Sequence, residues 1–460
     1  MEKYFDYWII TIYAIFSAAF ILYRKSLFMY VPFVIIMFNM SYSYLKYRKL
    51  NLITTLVILA AYSCILPDNY IIIFISFFIL LYYLYKQYKN EGFKNKKTIA
   101  LFIVLFIVNC IFSSNKLINI VFFVIFNFTF ILYFFVFKDR SKLEIYNTAL
   151  ERCINNIVVI EVLTTVLIIL FRFKEVLSDL GGDWSTGTLG TSQGSILMLM
   201  LSFVALRYLG DYREKKQKHK LFIVILCGII CMSTASISNN IVLIATIFLY
   251  ILTFIFKDFK GSIKYITFIL VIIITFIIVM PAWVKKDLYN LTNKQYAYER
   301  VKKLNTYETT FVTIPANNIK FALLGNGAGF YSSRAALTTT GNYVKTYLNV
   351  FPISMSDYTK IYIYDKLIDK NFDGSILSAP YSSIISIMGE FGMIGLLIFI
   401  AFMFYIFKHV KNEGKAIIIF FVLICFFENW IEFAKVVMFF WMFLFNDYKK
   451  DETNSNAKIN

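Results

Sequence analysis

The sequence predicts an all-α polytopic membrane protein with about 12–14 transmembrane helices. Hydrophobic residues make up 59% of the 460-residue chain, and the mean hydropathy is +0.67. Apolar runs of about 15–25 residues recur along the chain, which is the length needed to cross ~30 Å of hydrocarbon. A soluble domain of this size could not bury so much apolar surface, so a membrane is the expected solvent.

The apolar runs define the predicted organisation of the chain. We expect about fourteen spans, near 8–23, 27–45, 52–66, 70–85, 98–114, 117–137, 153–171, 188–209, 221–235, 239–256, 264–283, 381–407, 416–428 and 434–446. This gives a first group of transmembrane helices over 1–283, a large extracytoplasmic loop with interfacial helices over 284–380, C-terminal transmembrane helices over 381–446, and a cytoplasmic tail over 447–460.

The distribution of basic residues predicts how the chain is oriented. Alternate loops, such as 86–97, 210–220 and the C-terminal tail, carry roughly 25 Lys and Arg in total, whereas the other short loops carry about five. Basic residues collect on the cytoplasmic side, so both termini are expected there and the long loop outside. The net charge of +18 has the same origin and does not indicate nucleic-acid binding. The first apolar run lacks the features of a removable signal peptide and is predicted to be a retained span.

The residue inventory excludes several kinds of chemistry at an outer-face site. The six cysteines form no CxxC pair and lie mostly in apolar runs, which predicts neither a disulfide nor a zinc site. The two histidines, His219 and His409, fall in predicted cytoplasmic loops, so the outer face has no histidine base or metal ligand. Arginine, lysine, carboxylates and aromatic residues remain. This set suits displacement of a lipid-linked pyrophosphate by a sugar hydroxyl.

The long polar loop carries the basic and glycine candidates. Polar and aromatic residues recur at near-helical spacing in the run that opens this loop, which predicts an interfacial helix. Its basic residues Arg300, Lys302 and Lys303 either face an anionic head group or belong to a helix that only packs at the interface. Arg334 follows a glycine turn close to the predicted membrane surface, and the alternative to a functional role is a snorkelling or helix-capping arginine. The turn itself allows positive φ and close backbone approach through its three glycines, Gly325, Gly327 and Gly329.

Aromatic and acidic candidates complete the predicted site. Tyr331 and Tyr381 could stack on sugar rings, although tyrosines also mark membrane interfaces generally. Glu390 lies in an apolar helix, where an ionisable residue is a functional candidate by default; it could instead cap a helix or pair with an arginine. Glu428 and Glu432 are functional candidates for the same reason.

Four sequence blocks between about 187 and 400 carry a family resemblance. They read GTLGTSQGSILMLML at 187–201, STASISNNIVLIATIFL at 233–249, YERVKKLNTYETTFVTIPANNIKFALLGNGAGF at 298–330 and SAPYSSIISIMGEFGMIGLLIF at 378–399. In order and spacing they resemble the O-antigen ligase and polymerase superfamily (Wzy-type polymerases and WaaL-type ligases). The many preceding spans and the large late external loop agree with this resemblance.

The resemblance implies a fold and an activity. The fold would be that of a polyprenyl-dependent (GT-C-like) glycosyltransferase in the bacterial cytoplasmic membrane. The donor would be an oligosaccharide linked to undecaprenyl pyrophosphate, without metal, nucleotide or nucleic acid. Arg300 falls on the family's arginine before the glycine turn and would engage the pyrophosphate, with Arg334 as a second candidate. The protein partners expected for such an enzyme are a chain-length regulator and a flippase.

Two departures from the family pattern bear on the activity. The ligase pattern has His-Asn where this chain reads Tyr381-Ser382, which favours a polymerase of capsule or O-antigen-type repeat units over a ligase. The second block has Ser238-Asn239 in place of Ser-Arg. Both departures leave the base unassigned, with Glu390 the nearest carboxylate in a matching block. A ligase and a lipid-linked oligosaccharide flippase remain the alternatives, although a flippase should show repeated halves.

Overall fold

A computed structural model shows the chain as a bundle of helices. It describes the following residues, to which all structural statements below refer: 2–23, 25–47, 52–67, 70–89, 104, 106–111, 117–140, 144–174, 186–190, 193–234, 236–255, 274, 289–290, 293, 302–339, 354–365, 382–410 and 412–445.

Thirteen helices are labelled here in chain order. Those before the late loop are α1 (Glu2–Tyr23), α2 (Leu27–Tyr47), α3 (Leu52–Ser63), α4 (Tyr70–Lys89), α5 (Leu117–Arg140), α6 (Glu144–Phe171), α7 (Gly194–Lys215), α8 (Lys218–Ser233) and α9 (Ile237–Ile255). The others are α10 (Lys302–Glu308), α11 (Ser383–His409), α12 (Asn412–Ile424) and α13 (Ala434–Phe445). Short turns of 3-10 helix at Gly187–Leu189 and Trp430–Glu432 lead into α7 and α13.

The described helices have the character of a membrane protein. Four stretches are long and apolar enough to cross a bilayer: Leu117–Lys138, Ala149–Phe171, Gly194–Arg213 and Ser383–His409. Six shorter apolar helices accompany them in the described part of the chain. The all-helical expectation is confirmed there, since no strand occurs among these residues. The expected spans near 98–114 and 264–283 lie largely outside the described residues, as do the 447–460 tail and much of the 284–380 loop.

Helix α7 forms the centre of the bundle. Within its apolar stretch, 83% of the residues are buried, as expected for a helix surrounded by others. It packs against α8, α9, α12 and α13. Aromatic rings fill the space at this junction: Phe203 on α7 lies 5.6 Å from Phe420, and the rings of Phe421 and Phe440 stack at 4.0 Å.

Large apolar side chains cover the outside of the bundle. Phe74 and Phe77 on α4 and Leu397 and Phe404 on α11 each expose half or more of their surface. Extended apolar surface of this kind marks contact with another apolar phase, and in helices of this length that phase is lipid. The membrane expectation is therefore supported by both the length of the helices and their outward faces.

The described part of the late loop is compact and packs on α11. Residues Thr309–Thr313 continue α10 as a π-helical turn, and a further short turn covers Ile319–Leu324. The side chain of Asn318 starts that turn by accepting the backbone N–H of Phe321 at 3.1 Å. A small apolar cluster, which includes Phe321, Tyr331 and Ile385, joins the loop to α11.

Candidate functional site

The candidate site is built around a break in helix α11. Gly392 has φ +66° inside the helix, a conformation that favours glycine. The backbone at Leu323 passes directly beside it, so a Cβ on Gly392 would lie 2.3 Å from the Leu323 carbonyl carbon. On the loop side, Gly325 also has a positive φ of +73°, and its Cβ would lie 2.3 Å from the Glu390 carbonyl carbon. Two backbones thus meet in a contact that only glycines allow.

Carbonyl oxygens just before the break accept hydrogen bonds from the loop. The N–H of Asn326 donates to Gly389 O at 2.8 Å, and the N–H of Gly327 donates to Glu390 O at 3.0 Å. Asn109 adds side-chain bonds to Glu390 O and Leu324 O, at 2.8 and 2.9 Å. The broken helix and the glycine turn therefore satisfy each other's buried polar groups.

Two asparagines of apolar segments hold the rest of the turn. Asn109 Oδ1 accepts the N–H of Ala328 at 3.1 Å, and Asn119 Nδ2 donates to Gly329 O at 3.2 Å. Gly329, at φ +76°, lies so close to α5 that a Cβ would be 2.7 Å from Asn119 O. Neither asparagine was singled out from the sequence. The available signal was a lone amide within an apolar run, which must find a polar partner inside the protein.

The carboxylate of Glu390 binds the backbone that follows the turn. Its Oε2 accepts the N–H of Gly329 at 2.9 Å, and its Oε1 accepts those of Tyr331 at 3.2 Å and Ser333 at 3.0 Å. The Ser333 hydroxyl donates as well. The side chain is 0% exposed. A run of backbone N–H groups around one anion is a strong arrangement, and it fixes the course of residues 329–333.

Tyr331 is a buried part of this scaffold. Its hydroxyl shares a hydrogen bond of 2.7 Å with the Thr310 hydroxyl, and its ring lies 5.5 Å from that of Phe321. The ring also fills the space beside Gly389, where a Cβ would be 1.8 Å from the ring. Burial raises the pKa of Tyr331 well above its usual value. As packed here, Tyr331 supports the loop from within and does not line a surface.

Arg334 emerges where the fixed backbone ends. Its N–H donates to Glu432 Oε2 at 2.7 Å, and its guanidinium lies 5.1 Å from the Phe126 ring centroid and 4.6 Å from that of Phe433. The side chain is only partly buried. Among the described residues, no carboxylate lies within ion-pair distance of the guanidinium. Within the described ranges, the guanidinium N–H donors therefore have no carboxylate partner, while the two rings hold the group in place.

Glu432 is the buried carboxylate next to this arginine. Besides the Arg334 N–H, it accepts Asn127 Nδ2 at 3.1 Å and a bond from the Asn429 side chain. The side chain is 3% exposed. Burial raises the pKa of Glu432, and the hydrogen bond from the Arg334 backbone and the nearby guanidinium oppose that rise.

A small cavity with a largely apolar lining lies between the two carboxylates. It has a volume of about 30 Å³ and lies between α5, α11 and the Trp430–Glu432 turn. Its polar lining comes from Glu390, Glu432, Asn127, Asn429, Ser383 and Ser386. Such a space is large enough for about two water molecules.

Helix α10 contacts the same connection between α12 and α13. The ammonium of Lys303 donates to Phe427 O, and the hydroxyl of Tyr307 donates to Phe426 O at 2.6 Å. Burial lowers the pKa of Lys303, which the neighbouring Glu428 partly offsets. Burial also raises the pKa of Tyr307 to about 12. Residues 426–433 therefore contact both Lys303 and Arg334.

A second buried polar cluster involves the 187–201 and 233–249 blocks. Glu161 on α6 accepts the N–H of Thr188 at 2.9 Å. Gly187 has φ +57°, and a side chain there would clash because its Cβ would lie 1.8 Å from Glu161 Oε2. Ser195 donates to Ser236 at 3.0 Å, which joins the two blocks. These contacts were not predicted, although a glutamate inside an apolar run was a usable signal.

Lys435 links that cluster to the arginine site. It is fully buried, donates to Leu66 O and interacts electrostatically with Glu161. It lies three residues beyond Glu432 and two beyond Phe433, both of which contact Arg334. The start of α13 thus touches both polar clusters.

The structure brings together most, but not all, of the predicted site residues. Gly325, Gly327, Gly329, Tyr331, Arg334 and Glu390 form one packed unit. Arg300 and Tyr381 lie outside the described residues, as does the side chain of Lys302. In the described ranges, no three His, Cys, Asp or Glu side chains are close enough together to hold a metal ion. Comparison with protein-family models, with curated proteins and with solved structures finds no match to this chain.

Proposed function

We propose that the chain is a membrane glycosyltransferase that polymerises surface polysaccharide repeat units. It transfers the growing glycan from undecaprenyl pyrophosphate to the next lipid-linked repeat unit, on the outer face of the bacterial cytoplasmic membrane. The observation that carries the proposal is the placement of Arg334: a guanidinium with no carboxylate partner in the described ranges, held on Phe126 and Phe433 at the end of a backbone fixed by Glu390.

The chemistry of Arg334 fits a pyrophosphate ligand. A guanidinium offers a planar fork of N–H donors that matches two phosphate oxygens at once. Because Glu390 and Glu432 fix the neighbouring backbone, the cation needs little rearrangement when a ligand arrives. The resemblance of the 298–330 and 378–399 blocks supports the same assignment, since they meet at the Gly325 and Gly392 contact.

The proposed reaction is a simple displacement. A hydroxyl of the acceptor sugar attacks the anomeric carbon of the donor glycan and forms the new glycosidic bond. The bond from that carbon to the pyrophosphate oxygen breaks, and undecaprenyl pyrophosphate leaves with the electron pair. Arg334 stabilises the charge that develops on the leaving group. Arg300, near the start of the 298–330 block, is proposed as a second cation for the pyrophosphate. The distribution of basic residues among the loops supports a site on the outer face.

The polymerase assignment is tested with purified protein in liposomes and the lipid-linked repeat unit, without nucleotide or metal. Wild type should produce a ladder of lipid-linked oligomers. Arg334→Ala should lower its rate of formation by about 10²–10³-fold, the usual loss when one charge-stabilising donor is removed. Arg334→Lys should recover part of the rate because it restores the charge without the fork. Arg300→Ala should also slow the reaction.

A matched control uses the exposed Lys320 of the same segment. Lys320→Ala should leave the ladder unchanged, and thermal melting should show that Arg334→Ala remains folded because its backbone bond to Glu432 persists. A wild-type protein that makes no ladder, but speeds passage of the repeat unit across the bilayer, would replace the polymerase with a transporter. A single transfer to a different acceptor would instead indicate a ligase.

A further inference from the structure

We propose that Glu432 takes the proton from the attacking sugar hydroxyl, through one water held in the adjoining cavity. This inference rests on the proposed function and adds a base to it. Sequence reasoning left that base open, with Glu390 as its nearest candidate, and the described contacts distinguish the two carboxylates.

The capacity to accept another hydrogen bond separates Glu432 from Glu390. A carboxylate has about four acceptor positions. Glu390 uses them on three backbone N–H groups and the Ser333 hydroxyl. Glu432 accepts from Asn127, Asn429 and the Arg334 N–H, so the described residues fill three of its four positions. Protonation of Glu390 would also disrupt the backbone of the whole loop, whereas Glu432 has a single bond to it.

The cavity supplies a place for the relay water. Its volume of about 30 Å³ exceeds the ~10–15 Å³ that one water needs. Its lining provides the carboxylate of Glu432 together with the polar groups of Asn127, Asn429 and Ser386. A buried water is stable where it has two to four polar partners, and those proposed here are Glu432 and the few polar atoms of an otherwise largely apolar lining.

The position of Glu432 beside Arg334 suits a base in this reaction. The same residue that holds the Arg334 backbone would face the acceptor hydroxyl while the guanidinium faces the leaving group. Glu428, the next carboxylate along the connection, lies against Lys303 instead. In the described part of the chain, the charged groups that face Glu432 are Arg334 from the loop and Glu390 from α11. The amide of Asn127 comes from α5 and that of Asn429 from the connection between α12 and α13.

The proton balance of the step is complete. The hydroxyl oxygen bonds to the anomeric carbon, its proton passes to the water, and the water passes a proton to the Glu432 carboxylate. The pyrophosphate leaves as an anion. Burial raises the pKa of Glu432, so it binds a proton more readily than an exposed glutamate.

The raised pKa of Glu432 determines the expected pH dependence of the reaction. The base works only when deprotonated, so kcat/KM should fall as the pH drops through the pKa of Glu432. Because that pKa is raised, the acid limb should lie above the ~4.3 of an ordinary glutamate. In Glu432→Gln, kcat should drop by about 10²–10⁴-fold with a smaller change in KM, and the acid limb should disappear.

Control variants separate this role from a purely structural one. Gln at 432 still offers an oxygen to the Arg334 N–H but turns an amide N–H toward the Asn127 amide, so the variant should melt below wild type while remaining folded and able to bind undecaprenyl pyrophosphate. Glu432→Asp should retain a reduced rate and the acid limb. Glu428→Gln removes a neighbouring carboxylate and should retain the limb as well.

The outcomes distinguish this inference from the proposed function. If wild type makes the ladder and Glu432→Gln makes it within tenfold of the wild-type rate, the base assignment is overturned and the polymerase stands. A wild-type profile without an acid limb above about pH 4.3 overturns it too, even if Glu432→Gln fails to fold. If wild type makes no ladder, the polymerase fails and the base assignment fails with it.

Discussion

Glu390→Ala is expected to prevent the late loop from docking on α11. The substitution leaves the N–H groups of Gly329, Tyr331 and Ser333 without an acceptor in a buried site. Each unsatisfied buried group costs about 1–3 kcal/mol, so the sum is about 3–9 kcal/mol and rivals the stability of a whole domain. Thermal melting in detergent should show a large loss of stability together with loss of any activity.

Graded variants test whether the carboxylate acts through these bonds. Glu390→Gln keeps one acceptor oxygen and should lie between wild type and Glu390→Ala. The exposed Glu308 of α10 is the matched control, and Glu308→Ala should change the free energy of unfolding by no more than about 0.5 kcal/mol. A Glu390→Ala protein that melts with wild type would show that Glu390 does not hold the loop.

Gly325→Ala is expected to destabilise the protein by about 2–6 kcal/mol. A positive φ of +73° in a non-glycine residue adds about 1–3 kcal/mol of strain. The new Cβ would also lie 2.3 Å from the backbone of Glu390, which cannot move as a flexible side chain would; displacing it adds about 1–3 kcal/mol. Melting temperature and the monodisperse fraction in detergent measure the effect, and Gly392→Ala should behave in the same way.

Gly228 provides a matched control for the glycine prediction. It lies in α8, and nothing is within 4 Å of the position that a Cβ would take. Gly228→Ala should therefore stabilise the helix by up to about 1 kcal/mol. Equal effects of Gly228→Ala and Gly325→Ala would contradict the close backbone contact between the turn and α11.

Helix positions were largely predictable from the sequence. Apolar run lengths placed the starts of α2, α4, α5 and α13 at the residues where the structure has them. The reason is physical: a bilayer-spanning helix must be continuously apolar over a fixed length, and that property is local. The glycine turn was also correctly identified as a place of positive φ and close approach, and all three of its glycines have φ above +70°.

The partners within the site could not be predicted in this way. Glu390 was proposed as a catalytic carboxylate because it is ionisable and lies in a span, yet its hydrogen-bond donors are 57–61 residues away in sequence. The amide of Asn109 reaches 281 residues along the chain to Glu390 O. Hydrophobic periodicity shows which face of a helix is apolar. It does not show which distant segment of the chain contacts that face. The break at Gly392 was missed for the same reason.

The most direct measurement is the affinity of purified protein for undecaprenyl pyrophosphate, because it does not depend on knowing the sugar. Wild type should bind it more tightly than undecaprenyl monophosphate. Arg334→Ala should weaken pyrophosphate binding by at least about tenfold, the value of one charge-assisted hydrogen bond, with Arg334→Lys in between and Lys320→Ala unchanged. Equal affinity of wild type and a folded Arg334→Ala would contradict the account of this site.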